Sequence, residues 1–256
     1  MILAVDIGNT MTKAAFVDKD KVVARLGAFQ TKELLENDFW MGNDASVANI
    51  SKHIADYKPE GIIISCVLTG QGRQYTDTCR EMGFSNTLFV NGDLKYRFSF
   101  PEKYKNEIGS DILATCAAAD ALYGDCIIVD MGTAITFQVI ENHIFRGGII
   151  GAGLGMMAQA LNKGTSLLPE VETKVPDEFI GFDTVKCIQS GIMHGQASMI
   201  DGMIEKTEKY FQKKFTTIAT GGDVHKIGGL LKKPFDVTDD DLLFKGLGII
   251  YDDNHS

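Results

Sequence analysis

Residues 2–17, ILAVDIGNTMTKAAFV, and residues 126–140, CIIVDMGTAITFQVI, carry one pattern twice. In each, a short apolar run delivers an aspartate, a glycine follows two positions later, small polar residues complete a turn, and a second strand-like run resumes. Ile2 to Val5, Thr12 to Val17 and Val22 to Leu26 read as three strands, joined by the turns at Asp6-Ile7-Gly8-Asn9-Thr10 and Asp18 to Asp20. Cys126 to Val129, Thr136 to Ile140 and Ile144 to Ile150 follow the same plan, with turns at Asp130 to Ala134 and at Glu141-Asn142. Each set makes an antiparallel meander. The interval from Asp6 to Asp130, about 124 residues, predicts two related half-molecules, 1–123 and 124–256, with a cleft between them.

The segments between and after the meanders read differently. Lys32 to Asp38 is a short helix candidate, and Ala45 to Tyr57 a stronger one, with Val47, Ile50, Ile54 and Tyr57 at helical spacing. Gly61 to Cys66 is a near-continuous apolar strand, as expected where a sheet is covered on both faces. Gln71 to Met82 follows as a helix and Thr87 to Val90 as a strand. Residues 91–108 are aromatic and charged, with Tyr96, Phe98, Phe100 and Tyr104 among lysines. They read as an irregular excursion that either covers a pocket or partner, or is a surface loop with its aromatics tucked down.

Ser110 to Tyr123 is a helix rich in alanine, a good helix former that also permits close packing. After the second meander come a helix at Gly153 to Leu161 and a linker-like stretch, Gly164 to Phe179. Thr184 to Phe211 reads as one long helix, although Gly191, Gly195 and Gly202 weaken it by roughly 1 kcal/mol each. Those glycines would also allow a close helix contact. Phe215 to Ala219 is a strand, Thr220-Gly221-Gly222 a turn, Val224 to Leu231 a short helix, and Asp239 to Tyr251 a closing helix.

Composition bounds the partners. With 256 residues, 45% hydrophobic and 23% charged, the chain is an ordinary globular protein with an excess of glycine, 27 residues. A formal net charge of −9 argues against a nucleic-acid footprint, which needs clustered lysine and arginine. No basic leader, cleavage site or long apolar run appears, so a cytoplasmic location off the membrane is expected. The five cysteines lack metal-ligand spacing and read as reduced thiols. His53, His143, His194 and His225 show no ligand spacing either.

The repeated turn has a specific chemical use. Asp6 and Asp130 stand at strand ends, with carboxylates able to orient hydrated Mg²⁺. Gly8 and Gly132 remove the Cβ that would keep the backbone from a phosphate. Asn9, Thr10, Thr133 and Thr136 can then donate to phosphate oxygens, and two such hairpins facing one another would grip a polyphosphate. Gly221-Gly222 lets the backbone lie flat against an adenine or ribose. Lys13 either reaches the phosphates or faces solvent. No GxxxxGK[ST] loop is present, and Gly151-Ala152-Gly153-Leu154-Gly155 lacks the context of a dinucleotide fingerprint. Asp111, at the start of a helix, is either a general base for a hydroxyl acceptor or a first-turn aspartate that serves only the helix.

With these segments placed, the chain resembles the type III pantothenate kinases of the acetate kinase–hexokinase–actin-like superfamily. The likeness runs through DIGNT at 6–10, GSD at 109–111, DMGTAITF at 130–137 and GGIIGAGLGMMAQAL at 147–161. It continues through TSLLPEVE at 165–172, GFDT at 181–184, TGG at 220–222 and LLFKGLGIIY at 242–251. The resemblance implies an α/β fold of duplicated ribonuclease-H-like (actin-like ATPase) domains, each a mixed sheet with a three-strand meander and flanking helices. It implies ATP-dependent phosphorylation of pantothenate, the first step of coenzyme A synthesis, by a homodimer that uses Mg²⁺ and a monovalent cation, K⁺ or NH₄⁺. Asp111 falls on the catalytic aspartate of the family's GxDR motif, and Gly109 and Thr184 on pantothenate-touching positions. Ser110 and Tyr96 are grouped with them at the acceptor. Asp6 to Thr10 and Asp130 to Thr133 fall on the phosphate loops, and Gly221-Gly222 on the adenosine-side turn.

The chain departs from the family at three places. Ile112 stands where the family has the arginine that contacts pantothenate, Ala152 stands for the proline of GGxIxPG, and Phe100-Pro101 is all that represents an Asn-Pro pair. Three readings follow from Ile112. Another cation, such as Arg97, Lys103 or Lys105, supplies the contact; the acceptor is another small hydroxylated molecule; or the chain is a nucleotide-binding regulatory relative without transfer activity.

Overall fold

The computed structural model describes residues 1–32, 56–68, 70–81 and 83–255. The helices expected at Lys32 to Asp38 and Ala45 to Tyr57 lie outside the described residues, apart from helical Lys32 and Asp56-Tyr57. Ten strands form two five-stranded sheets among the described residues. The first holds β1 (Ile2–Ile7), β2 (Met11–Asp18), β3 (Lys21–Gln30), β4 (Ile62–Cys66) and β5 (Thr87–Phe89), in the order β3-β2-β1-β4-β5. The second holds β6 (Cys126–Met131), β7 (Ala134–Glu141), β8 (Ile144–Ala152), β9 (Thr216–Thr220) and β10 (Val237–Thr238), in the order β10-β9-β6-β7-β8. The two orders are the same plan, an antiparallel meander followed by two strands parallel to the first. Both sheets have the topology of an actin-like ATPase domain.

The repeat extends to side-chain placement. The pattern of buried and half-buried positions along β1 is identical to that along β6. Asp6 stands opposite Lys13 across β1 and β2, and Asp130 opposite Thr136 across β6 and β7.

The contact pattern divides the chain into two compact units. One comprises Met1–Gly124, His143–Phe145 and Asp241–Ser256, the other Asp125–Asn142 and Arg146–Asp240. In the first, strand alternation sends Leu3, Val5, Ile7, Ala14, Phe16, Ile62 and Ile64 to one face, where Cys79 of α1 (Gln71–Glu81) joins the core. The opposite face carries Asp6, Lys13 and Ser65. Helices α2 (Ser110–Tyr123) and α6 (Leu242–His255) belong to the same unit and pack on each other so closely that a Cβ at Gly246 would come 1.8 Å from the Ala114 carbonyl oxygen. Nine residues of α2, Ser110 and the unbroken run from Leu113 to Asp120, are buried, so its small side chains serve a helix enclosed on nearly all sides.

In the second unit, Ile127, Val129, Met131, Ile135, Phe137 and Val139 turn one face of the sheet toward α3 (Leu154–Gly164) and α4 (Thr184–Phe211). Helix α4 runs its full 28 residues through all three glycines. A Cβ at Gly191, Gly195 or Gly202 would meet nothing within 4 Å, so no close helix contact among the described residues depends on them. Asp183 caps the helix by accepting from the Lys186 amide at 2.9 Å.

Several expected boundaries move. The β7–β8 turn is Asn142-His143 rather than Glu141-Asn142, because both central residues take positive φ, 53° and 57°, as a two-residue hairpin turn requires. The helix expected from Val224 to Leu231 is α5 (Val224–Ile227) followed by a 3₁₀ turn at Gly228–Leu230. None of the five cysteines is in a disulfide; Cys66, Cys79, Cys116 and Cys126 are buried and Cys187 is exposed. Among the described residues no helix is long and apolar enough to cross a membrane.

Candidate active site

In the first unit the Asp6–Thr10 turn is shaped by its own backbone and by one threonine. The Gly8 amide donates to the Met11 carbonyl at 3.0 Å, and a Cβ on Gly8 would sit 2.9 Å from that oxygen. Thr31, the residue after β3, donates its hydroxyl to the Gly8 carbonyl at 2.9 Å and its amide to the Thr10 carbonyl at 2.9 Å. Its hydroxyl also lies 3.1 Å from that of Thr12. Two carbonyls of the loop are thereby turned inward, while Asn9 and Thr10 remain exposed at its tip. Lys13 is exposed and is the cross-strand partner of Asp6 on the same face.

A buried chain of hydroxyls leads from that loop to the helix bearing Asp111. Ser65 is the register partner of Asp6 on the adjacent strand and donates to its Oδ1 at 3.0 Å. The Ser65 and Ser110 hydroxyls are 3.2 Å apart, and Ser110 Oγ accepts from the Cys66 amide at 2.8 Å. Ser110 is the first residue of α2, so the helix start is fixed directly to the end of β4.

Asp111 follows on the first turn. Burial pushes its carboxyl above the usual carboxylate range, against the opposing pull of backbone amides, including that of Ile112 at 2.9 Å. A Cβ at Gly109 would come 2.5 Å from Asp111 Oδ1, so a side chain there would force the carboxylate to shift.

In the second unit Gly132, Gly153 and Gly221 pack around the loop that runs from Asp130 to Thr133. The Gly132 amide donates to the Ala134 carbonyl at 3.0 Å, closing a turn like the one at Gly8 but with more room; a Cβ at Gly132 would find its nearest neighbours at 3.8 and 4.0 Å. Gly153 backs onto this loop: its amide donates to the Thr133 carbonyl at 3.2 Å, and a Cβ would come 2.3 Å from the Gly132 oxygen. Thr220 is the parallel partner of Asp130, and Gly221 follows at φ +98° with its missing Cβ directed 2.5 Å from Asp130 Oδ1 and from the Met131 carbonyl. The Asp223 amide donates to that same carbonyl at 2.9 Å. Only glycine fits at Gly221, on both conformational and steric grounds. Gly222 is exposed.

Gln138, on the Asp130 face of β7, donates through Nε2 to the Thr136 hydroxyl at 2.6 Å, and its own Oε1 is buried without a hydrogen-bond partner among the described residues. Thr184 is carried separately, exposed at the first position of α4. Tyr96 is half-buried, and its phenol donates to the Asn91 carbonyl at 2.6 Å.

The three cations considered in place of an arginine at 112 are engaged elsewhere. Arg97 grips Asp253 through two bonds of 2.8 Å, Lys105 lies 3.0 Å from Asp93 and 2.6 Å from Glu102, and Lys103 stands over the Tyr104 ring. Sequence reasoning passed over Ser65, Thr31, Gln138 and the loop-facing role of Gly153. Ser65 left a trace as the one hydroxyl within the apolar run Gly61 to Cys66.

This geometry can be set beside known proteins. The model of the type III pantothenate kinase family matches residues 2–206. The chain is 33% identical over 273 aligned residues to the type III pantothenate kinase of Koribacter versatilis, covering 100% of this chain and 97% of that one. The chain belongs to the type III pantothenate kinase family. A second member, from Dictyoglomus turgidum, is 31% identical over 255 residues, with 98% of each chain covered.

Solved structures agree on the fold. A conserved protein assigned to the Baf transcriptional activator family in Campylobacter jejuni superposes with a TM-score of 0.62 at 20% identity, covering 99% of this chain and 98% of that one. The activator of 2-hydroxyisocaproyl-CoA dehydratase from Clostridium difficile, which holds ADPNP, gives 0.53 at 11% identity, covering 98% and 92%. Membership of the family makes the chemistry of the chain ATP-dependent phosphoryl transfer.

Proposed function

We propose that the chain transfers the γ-phosphoryl group of ATP to the terminal hydroxyl of pantothenate, giving 4′-phosphopantothenate and ADP, at the first step of coenzyme A synthesis. The observation that carries this reading is the Asp6–Ser65–Ser110 chain, which anchors the helix bearing a buried, less acidic carboxyl to the strand bearing a phosphate loop. A carboxyl raised by burial holds a proton more strongly once it takes one, and this suits a general base. Asp111 would accept the hydroxyl proton as the hydroxyl oxygen forms its bond to the γ-phosphorus. The bond from that phosphorus to the bridging oxygen breaks, and ADP leaves with the electron pair.

The remaining roles follow the residues. Asn9, Thr10 and Thr133 at the loop tips would donate to phosphate oxygens, with Lys13 adding charge beside Asp6. Gly221 and Gly222 would accept the adenosine side. Gly109, Ser110, Thr184 and Tyr96 would line the acceptor. Mg²⁺ would neutralise phosphate charge, held by Asp6 and Asp130. Among the described residues no three acidic, histidine or cysteine side chains form a metal cage, a donor set that fits an ion bringing phosphate and water as most of its ligands. A monovalent cation, K⁺ or NH₄⁺, and a cytoplasmic homodimer complete the proposal.

One observation favours a second reading. Ile112 cannot pair with a carboxylate, and Arg97 and Lys105 already pair with acids. An uncharged hydroxylated acceptor fits that better than pantothenate does, and loss of transfer activity fits it too. The experiment is turnover by purified protein with Mg-ATP, K⁺ and pantothenate, beside a panel of uncharged acceptors. Formation of ADP and phosphopantothenate in equal amounts is expected. Turnover only with another acceptor, or with none, overturns the proposal.

A further inference from the structure

Residues 95–100, which bend at Arg97 and Phe98, alternate in exposure. Lys95, Arg97 and Ser99 are exposed, whereas Tyr96, Phe98 and Phe100 are covered to varying degrees. The three rings form one cluster, with centroids 5.3, 5.7 and 5.9 Å apart. The exposed series is tied down residue by residue. The Lys95 amide donates to Asn254 Oδ1 at 2.9 Å, and Asn254 Nδ2 donates back to the Lys95 carbonyl at 3.1 Å. Arg97 meets both carboxylate oxygens of Asp253 at 2.8 Å. The Ser99 amide donates to the His143 carbonyl at 2.9 Å, and the Ser99 carbonyl accepts from the Phe145 amide at 2.8 Å.

The carboxamide of Asn254 thus acts on Lys95 as a neighbouring strand would, satisfying both backbone groups of one residue. It is itself oriented, because Nδ2 also donates to the Ile250 carbonyl at 2.8 Å. Tyr96 stands between the two residues that adjacent side chains of α6 hold.

We propose that Asp253 and Asn254, in the last turn of α6, are positioning residues that fix Tyr96 for the acceptor by clamping Lys95 and Arg97. The inference rests on the acceptor role given to Tyr96 above. Neither residue is given an acceptor contact of its own. They act through the backbone of the segment, so their loss loosens Tyr96 without altering phosphate binding or the position of Asp111.

The test compares Asn254→Leu, Asp253→Ala and the conservative Asp253→Glu in the full chain. Two readouts are taken: steady-state kinetics with ATP and pantothenate varied separately, and the rate of tryptic cleavage after Lys95 and Arg97. Asn254→Leu and Asp253→Ala are expected to raise the pantothenate KM about tenfold and to speed cleavage, with the ATP KM and the thermal midpoint near wild type. Asp253→Glu is expected to restore both readouts. Faster cleavage with an unchanged pantothenate KM overturns the proposal, because the clamp then exists but positions nothing. Unchanged cleavage overturns it as well. Parallel changes in the ATP and pantothenate KM values mark general damage and also count against it. Failure of the wild-type chain to phosphorylate pantothenate is a separate result that removes the proposed reaction, and the acceptor role of Tyr96 with it.

Discussion

Gly132→Ala separates what the fold needs from what a ligand needs. The added methyl group would have its nearest neighbours at 3.8 and 4.0 Å, ordinary contact distances, and Gly132 is not among the residues at positive φ. The substitution therefore costs the folded chain little, within about 0.5 kcal/mol, and the loss of glycine's freedom in the unfolded chain adds up to about 1 kcal/mol of stability. A phosphate brought against this turn would meet the methyl group. Each charge-assisted hydrogen bond it then fails to make is worth about 1.5–3 kcal/mol, or roughly ten- to a hundredfold in Kd.

Titration calorimetry with ADP and a non-hydrolysable ATP analogue, beside thermal unfolding, reads both quantities. The expected pair is an unchanged or raised Tm and a Kd at least tenfold weaker. A Kd within twofold of wild type with the fold intact would mean that no phosphate approaches Gly132. Gly153→Ala is the control: its Cβ would come 2.3 Å from the Gly132 oxygen and 2.4 Å from that of Thr133, so stability falls by about 1–3 kcal/mol along with affinity.

Two further predictions concern the acceptor end. Asp111→Asn should lower kcat by about two to four orders of magnitude with ATP affinity held within a few-fold, as measured by steady-state assay and calorimetry. Because the folded-state carboxyl is raised, the unfolded chain loses this proton first, and wild-type stability falls as pH climbs through and above the ordinary carboxylate range. Denaturant titrations should therefore show the asparagine variant gaining on wild type from acid to neutral pH, and a constant difference would remove the burial argument. Ile112→Arg should lower the pantothenate KM by about tenfold through a charge-assisted pair; a higher KM would show that the apolar side chain already suits the acceptor.

The meanders were legible because two signals coincide in them, strand-like runs on both sides and an Asp-x-Gly turn between. Helix α4 was legible to the residue, since its apolar stripe and the Asp183 cap outweigh three glycines. The strand β10 was not, because two residues alone carry no period, and Val237 and Thr238 acquire strand identity only by pairing with Ile218 and Ala219. At the candidate site, residues that share one short motif stood out in the sequence, including Asp6, Gly8, Gly132 and the Gly109–Asp111 run. The supports were not. Ser65 matters only because parallel pairing sets it beside Asp6, and Thr31 only because β3 ends beside the Gly8 loop. Pairing register is a tertiary property that no local spacing encodes. The segment 91–108 left two readings open, and its anchors at residues 143–145 and 253–254 lie too far along the chain for any window to join them.

The membership of α6 in the first unit bears on the order of events during synthesis. Leu242, Phe244, Leu247, Ile249 and Ile250 are buried there, and Gly246 and Gly248 let the helix lie against the backbone at Ala114 and Lys19. A ribosome delivers those residues only after the whole of the second sheet has emerged. The half that is encoded first must therefore wait with part of its interior uncovered, while the half encoded second already has everything it needs. A chain released before residue 241 would hold every residue of the second unit, whereas its first unit would lack the helix that covers part of its interior.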